Sequence, residues 1–127
     1  MKKTSLSKKE LKFLWENLGK LLGTFESTEI DDLNRLMDDF INNQEMKPVL
    51  DFLVRTKNLD TLPINASIIV YGCSCLILCK TAALMLGNPI LSQSDKSYIR
   101  DYIEYGIRKC RIDVSLYCYL EYGDWLW

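Results

Sequence analysis

Three features of the chain predict an all-α fold: a single-domain bundle of five to six helices over residues 1–127, built around a central apolar helix at about 66–86. Apolar side chains recur at helical spacing through the first half of the chain. The stretch from Ala66 to Leu86 is apolar or small throughout, with Lys80 as its only charge. Capping residues and clusters of Gly, Asn, Pro and Ser separate these stretches. A chain of 127 residues is the size of one ordinary domain and can bury a core without metals or disulfides.

Ser7 and Glu10 form a capping box, in which each side chain satisfies an orphan amide of the other's turn. A helix should start there, with Leu14, Trp15, Leu18, Leu21 and Leu22 on one stripe and Gly23 as the stop. Phe13 sits off that stripe, either as a second packing contact or as an exposed anchor. Thr28 is the cap expected for a second helix, whose core stripe is Ile30, Leu33, Leu36, Met37, Phe40 and Ile41. Its opposite face carries Asp31, Asp32, Arg35, Asp38 and Asp39. Asn42 and Asn43 suit its end. Pro48 fits the first turn of a third helix bearing Val49, Leu50, Leu53 and Val54, and residues 58–63 then read as a connection.

A helix apolar all round, as 66–86 would be, is either buried at the centre of a domain or crosses a membrane. Its uninterrupted run, Ala66 to Cys79, is shorter than the ~20 residues a span needs. Lys80 would add roughly 2.5–3.5 kcal/mol near a bilayer centre. A buried core helix is therefore the expectation, with no membrane partner. Gly87, Asn88 and Pro89 end it, and Ser92 or Ser94 caps the next, whose buried stripe is Ile99, Tyr102, Ile103, Gly106, Ile107 and Cys110. Arg100, Glu104, Arg108 and Arg111 should fall on its far side. For the tail from Asp113 to Trp127, periodicity does not separate a last helix from a short strand.

The chain contains no histidine, which removes the commonest general base and every Ser-His or Cys-His nucleophile pair. Its glycines match no phosphate-cradling loop. The expectation is a protein that is not an enzyme and holds no cofactor. Five cysteines, three of them at Cys73, Cys75 and Cys79, do not read as a disulfide framework. Cys75 and Cys79 share a helical face and zinc accepts thiolates, but Cys73 points away from them, so reduced core thiols are expected and no metal. With a polar start lacking a secretory signal, the protein is placed in the cytoplasm. A sequence pI near 5.5 argues against nucleic acid as a partner.

Charge is segregated along the chain under a net charge of -1. Eight carboxylates and two basic side chains lie between Glu26 and Asp51, against six lysines and two glutamates in the first twenty residues. Arg35 lies four residues from both Asp31 and Asp39, a spacing that allows internal ion pairs worth a few tenths of a kcal/mol. The ordinary reading is thus a solvated, self-paired helix face. The functional reading is a negative surface for a basic protein, because such a face speeds encounter and selects against wrong partners. Its candidate contacts are Glu29, Asp31, Asp32, Asp38 and Asp39, with Phe13 or a C-terminal aromatic such as Trp127 as an anchor.

A small, histidine-free helical domain with an acidic helix at 29–43 bearing Asp31, Asp32, Asp38 and Asp39 resembles the helical immunity proteins of bacterial toxin and immunity pairs. The resemblance lies in size, composition and charge pattern. It implies a cytosolic inhibitor of one cognate toxin domain, often a nuclease, whose basic cleft the acidic face would block. The chain departs from the compact four-helix members in its length and its apolar central helix, so no single binding residue carries over. It is also similar to small viral helical proteins that wrap amphipathic helices around an apolar one, which implies the alternative of an adaptor or regulator taking a partner helix in an apolar groove.

Overall fold

The computed structural model describes residues 6–25, 29–55 and 63–126, with the side chains of 53–55 excepted. Among them are five α-helices, α1 (Lys8–Phe25), α2 (Ile30–Asn42), α3 (Lys47–Arg55), α4 (Ile64–Met85) and α5 (Gln93–Tyr122), with a 3-10 turn at Gln44–Met46 and no strand. This is the all-α, single-domain bundle that the periodicity predicts. Helices α4 and α5 form a long hairpin, α1 lies against α5, and α2 and α3 lie against α4.

The capping box at the start of α1 is present: Ser7 N donates to Glu10 Oε1 at 3.0 Å and Glu10 N to Ser7 Oγ at 3.2 Å. Leu11, Leu14, Leu18, Leu21 and Phe25 are the buried stripe, while Trp15 and Leu22 are half-buried at its edge. The helix does not stop at Gly23. Thr24 Oγ1 donates to the carbonyls of Lys20 and Leu21, and the buried ring of Phe25 draws the last turn onto the core. Burying that ring outweighs the roughly 1 kcal/mol that a glycine costs inside a helix.

The core stripe of α2 is as expected, with Leu33, Met37 and Phe40 buried. Glu29 stands at its N-cap without a side-chain cap bond; the expected cap, Thr28, lies outside the described residues. Asn43 ends α2 and also starts the 3-10 turn by accepting from Glu45 N at 2.9 Å. In α3 the buried residues are Val49 and Phe52, continuing from Met46 at a spacing of three. Phe52 is a core residue that the spacing did not include, and the side chains of Leu53 and Val54 and the expected connection at 58–62 fall outside what is described.

Helix α5 resolves two open alternatives and corrects the placing of Arg100, Arg111 and Tyr102, the last of which was expected in the buried stripe and is 41% exposed. The helix runs for 30 residues, so the tail from Asp113 is its continuation as far as Gly123, whose left-handed φ of 78° closes it. Of the two possible caps, Ser92 is used, in a capping box with Asp95. Arg100 and Arg111 do not lie on a far, solvated side but against α1. Arg100 donates to Phe25 O at 3.2 Å with its guanidinium 5.3 Å from the Phe25 ring, and that of Arg111 sits 4.1 Å from the Trp15 ring. Long arginine stems cover apolar surface while the planar head stacks on an aromatic face.

Two glycines let α4 and α5 approach closely. A Cβ at Gly72 would lie 2.7 Å from Asp113 Cβ, and one at Gly106 would run into Cys79 Sγ. Aromatic side chains of α5 tie Leu6, just before α1, to the last turns of the bundle. The buried Tyr117 hydroxyl accepts from Leu6 N at 3.4 Å, the Tyr122 hydroxyl donates to Leu6 O, and Leu126 is buried. Trp125 stacks on Tyr119 with ring centroids 4.4 Å apart and remains exposed.

Helix α4 is central in touching α5, α2 and α3, but it is not buried all round. Its apolar circumference is covered on one side only, by those neighbours. Ile64, Tyr71, Leu78 and Met85 are 52–79% exposed on the other.

Candidate functional site

Three surfaces carry the chemistry that could serve a partner. The first is the outer face of α2. Asp31, Asp32 and Asp39 are exposed there, as the sequence pattern expects, and Glu29 is exposed at the N-cap before them. Asp38 differs from them: it receives Lys80 Nζ at 3.1 Å, so a lysine of α4 neutralises it. Arg35 pairs with Asp32 at 3.9 Å, not with Asp31 or Asp39 as the four-residue spacing suggested. Glu29, Asp31 and Asp39 therefore have no cation within ion-pair distance among the described residues.

Phe13 lies on α1, half-buried and packed against the core, where it lines a shallow depression with Lys9, Glu10 and Glu45. It is thus a packing residue with one edge in reach of solvent, apart from the acidic residues of α2. Trp127 lies outside the described residues.

The second surface is a groove of about 390 Å³ between α1 and the C-terminal half of α5. Leu22, Ile112 and Leu116 give it apolar walls, and the rings of Trp15 and Trp125 line it. Two arginines border it. Arg108 is committed to Glu104 at 2.9 Å, whereas Arg111 has no carboxylate within ion-pair distance and its buried Nε finds no hydrogen-bond partner among the described residues. The sequence pattern did not reveal this groove, because its walls come from α1, α5 and the residues beyond Gly123, which only packing brings together.

The third surface is the uncovered side of the α4–α5 hairpin. Residues seven apart fall within about 20° of each other on a helix. On α4 that places Ile64, Tyr71, Leu78 and Met85 in one exposed stripe, with Ser67, Ser74 and Thr81 alternating between them. On α5 it places Tyr98 and Tyr105 together, with Tyr102 beside them. Cys75, Lys109 and Asp113 lie between the stripes, and Lys109 Nζ binds Asp113 Oδ2 at 2.6 Å. That hydrogen bond raises the Lys109 pKa, opposed by partial burial.

All five cysteines are free thiols. Burial raises the pKa of Cys75, Cys110 and Cys118, and pushes Cys79 up to about 12. Cys75 alone is half-exposed, and Lys109 pulls its pKa the other way. High thiol pKa values mark protonated, unreactive sulfur. Among the described residues no three Cys, Asp or Glu side chains gather closely enough to hold a metal ion. Ile64–Met85 is the one described helix long and apolar enough to cross a membrane, and 44% of its most apolar stretch is buried inside the bundle. Comparison of the chain with protein-family models, with curated proteins and with solved structures gives no match.

Proposed function

We propose that this protein is a non-enzymatic inhibitor that binds a basic protein through the outer face of α2, with a cognate toxin domain as the partner class and the cytoplasm as its site of action. One observation carries the reading: Asp31 and Asp39 stand exposed on the outer face of α2, and Glu29 at its N-cap, with no cation within ion-pair distance among the described residues, beside an Asp32 held only loosely by Arg35 at 3.9 Å. A solvated helix face whose charges are mutually paired offers little field; an unpaired one steers and orients a cationic partner. Asp38 is removed from the contact set by Lys80. The test is capture from native lysate at low salt by the tagged chain, compared with a variant in which Glu29, Asp31, Asp32 and Asp39 are all lysine. A basic protein released by salt from the first and captured at least about ten-fold less by the second supports the reading. Equal capture by both chains would overturn it.

A second reading, an adaptor that takes an amphipathic segment of a partner in the α1–α5 groove, is favoured by Arg111. An unpaired guanidinium held over Trp15 at the rim of an apolar groove suits a helix presenting one carboxylate beside aliphatic side chains. Binding of that kind resists salt and fails on Leu116→Lys. The same variant leaves α2 binding unchanged.

A further inference from the structure

We propose that the uncovered face of the α4–α5 hairpin is a self-association surface that pairs two copies of this chain, with α4 running antiparallel to α4 of the second copy across a two-fold axis.

The first argument is area. Ile64, Tyr71, Leu78 and Met85 on α4 with Tyr98, Tyr102 and Tyr105 on α5 are between 41% and 79% exposed. Taking about 200 Å² for a fully exposed side chain of this size, they leave on the order of 800 Å² uncovered. The largest apolar patch on a monomeric protein is about 300–600 Å², whereas each side of a standard stable interface covers about 800 Å². The face, tyrosine hydroxyls and interspersed small residues included, is large enough for one side of a dimer.

The second argument is shape. Large and small residues alternate strictly along the exposed stripe: Ile64, Ser67, Tyr71, Ser74, Leu78, Thr81, Met85. In an antiparallel pair the layers from Ile64 to Thr81 set a large residue against a small hydroxyl one, and Met85 lies beyond them. Ile64 then faces Thr81 of the second copy, Ser67 faces its Leu78, and Tyr71 faces its Ser74. Such layers interdigitate, and a two-fold interface requires one patch to be complementary to itself. A parallel pair would instead stack Tyr71 on Tyr71 and Ser74 on Ser74.

The third argument is charge. Within the face the charged groups are Lys109 and Asp113, which neutralise each other at 2.6 Å. Asp101 and Arg108, three residues on from Tyr98 and Tyr105, stand at its edge. An apolar centre with a polar rim is the composition of a protein interface. Among the described residues no cluster of lysines and arginines surrounds it, as one would for a surface bound to anionic lipid. The inference is independent of the α2 reading. Lys80, which ties α2 to α4, lies two residues from Leu78 and so about 200° around the helix, and the acidic face remains open in the dimer.

The experiment is size-exclusion chromatography with light scattering on the full chain at about 50 µM, alongside the variant Tyr71→Lys/Leu78→Lys and the control variant Glu16→Lys, at an exposed position on the outer side of α1. The side chains replaced in the first variant are exposed, and circular dichroism checks that its helices persist. The proposal expects the wild type and control at twice 14.8 kDa. The Tyr71→Lys/Leu78→Lys variant should be monomeric, its dissociation constant raised by about 100-fold or more. Oxidation of a mixture of Tyr71→Cys and Ser74→Cys chains should give more covalent dimer than either chain alone. A monomeric wild type overturns the proposal, whether the face then proves to take neutral phosphatidylcholine vesicles or a different protein. A dimer that survives both lysines overturns it equally.

Discussion

Cys79 Sγ of α4 occupies the space that a side chain on Gly106 of α5 would need, and the same sulfur donates to Ile103 O at 3.5 Å. The crossing of the two longest helices is therefore fitted around one thiol. Gly106→Ala should destabilise the fold by about 1–3 kcal/mol, the usual cost of overpacking, although alanine is the better helix former by up to about 1 kcal/mol. Urea denaturation measures it. Cys79→Ala in the same chain should recover part of the loss, and additive costs in a double-mutant cycle would contradict the contact.

The same thiol sets an alkaline limit. Burial pushes Cys79 up to about 12 from an ordinary 9.0. A folded-state pKa raised in this way leaves stability intact below pH 9, where both states keep the proton. Stability falls as pH climbs from 9 towards 12, because the unfolded chain loses its proton first, by about 1.4 kcal/mol per pH unit for each such thiol. The urea midpoint should drop between pH 8.5 and 10.5, less steeply in Cys79→Ala than in the wild type. Parallel slopes for the two chains would show that this thiol does not titrate differently on folding.

Lys80 and Asp38 join α4 to α2 at 3.1 Å, with Lys80 29% exposed and Asp38 44% exposed. A pair this wet should contribute about 0.2–1 kcal/mol, diminishing as salt is raised. Asp38→Asn should accordingly lower stability by less than 1 kcal/mol. Replacing Asp39 by lysine should leave stability within about 0.5 kcal/mol, since no cation is lost, whereas lysine at Asp31 would put a cation in the first turn of α2, four residues from Arg35, and cost more. Thermal melts at low and high salt separate the two cases.

Leu6, just before α1, meets the last turn of α5 where the Tyr122 hydroxyl donates to its carbonyl oxygen. Removing that hydroxyl in Tyr122→Phe should cost about 0.5–1.5 kcal/mol. Hydrogen exchange should report it locally, with faster exchange in the first turn of α1 and the last of α5 and little change at the α4–α5 crossing. Uniformly faster exchange would mean that the ends are not a separate unit.

Arg111 holds its guanidinium 4.1 Å from the Trp15 ring, so Arg111→Leu should remove a cation–π contact worth about 0.5–2 kcal/mol. Trp15 emission should shift with it, a change that Arg108→Leu should not reproduce.

Sequence by itself determined the helices and much of their ends. The capping pair of Ser7 with Glu10 acts within a single turn, and the stripes of α1 and α2 follow from a fixed rotation per residue, so both are local and legible; at α5 the sequence left Ser92 and Ser94 open, and the structure uses Ser92 with Asp95. The exposed carboxylates of α2 were legible for the same reason: a polar face opposite an apolar one can point only outwards. What the tertiary structure decided is which neighbour each face meets. Periodicity cannot say which side of α4 is covered when every side is apolar, and the Tyr71–Leu78 stripe is exposed only because α2, α3 and α5 all pack elsewhere on the helix. Nor can spacing along one helix find Lys80 for Asp38, or Trp15 for Arg111. Those partners are 42 and 96 positions apart in the chain, and they meet only through the register in which whole helices pack.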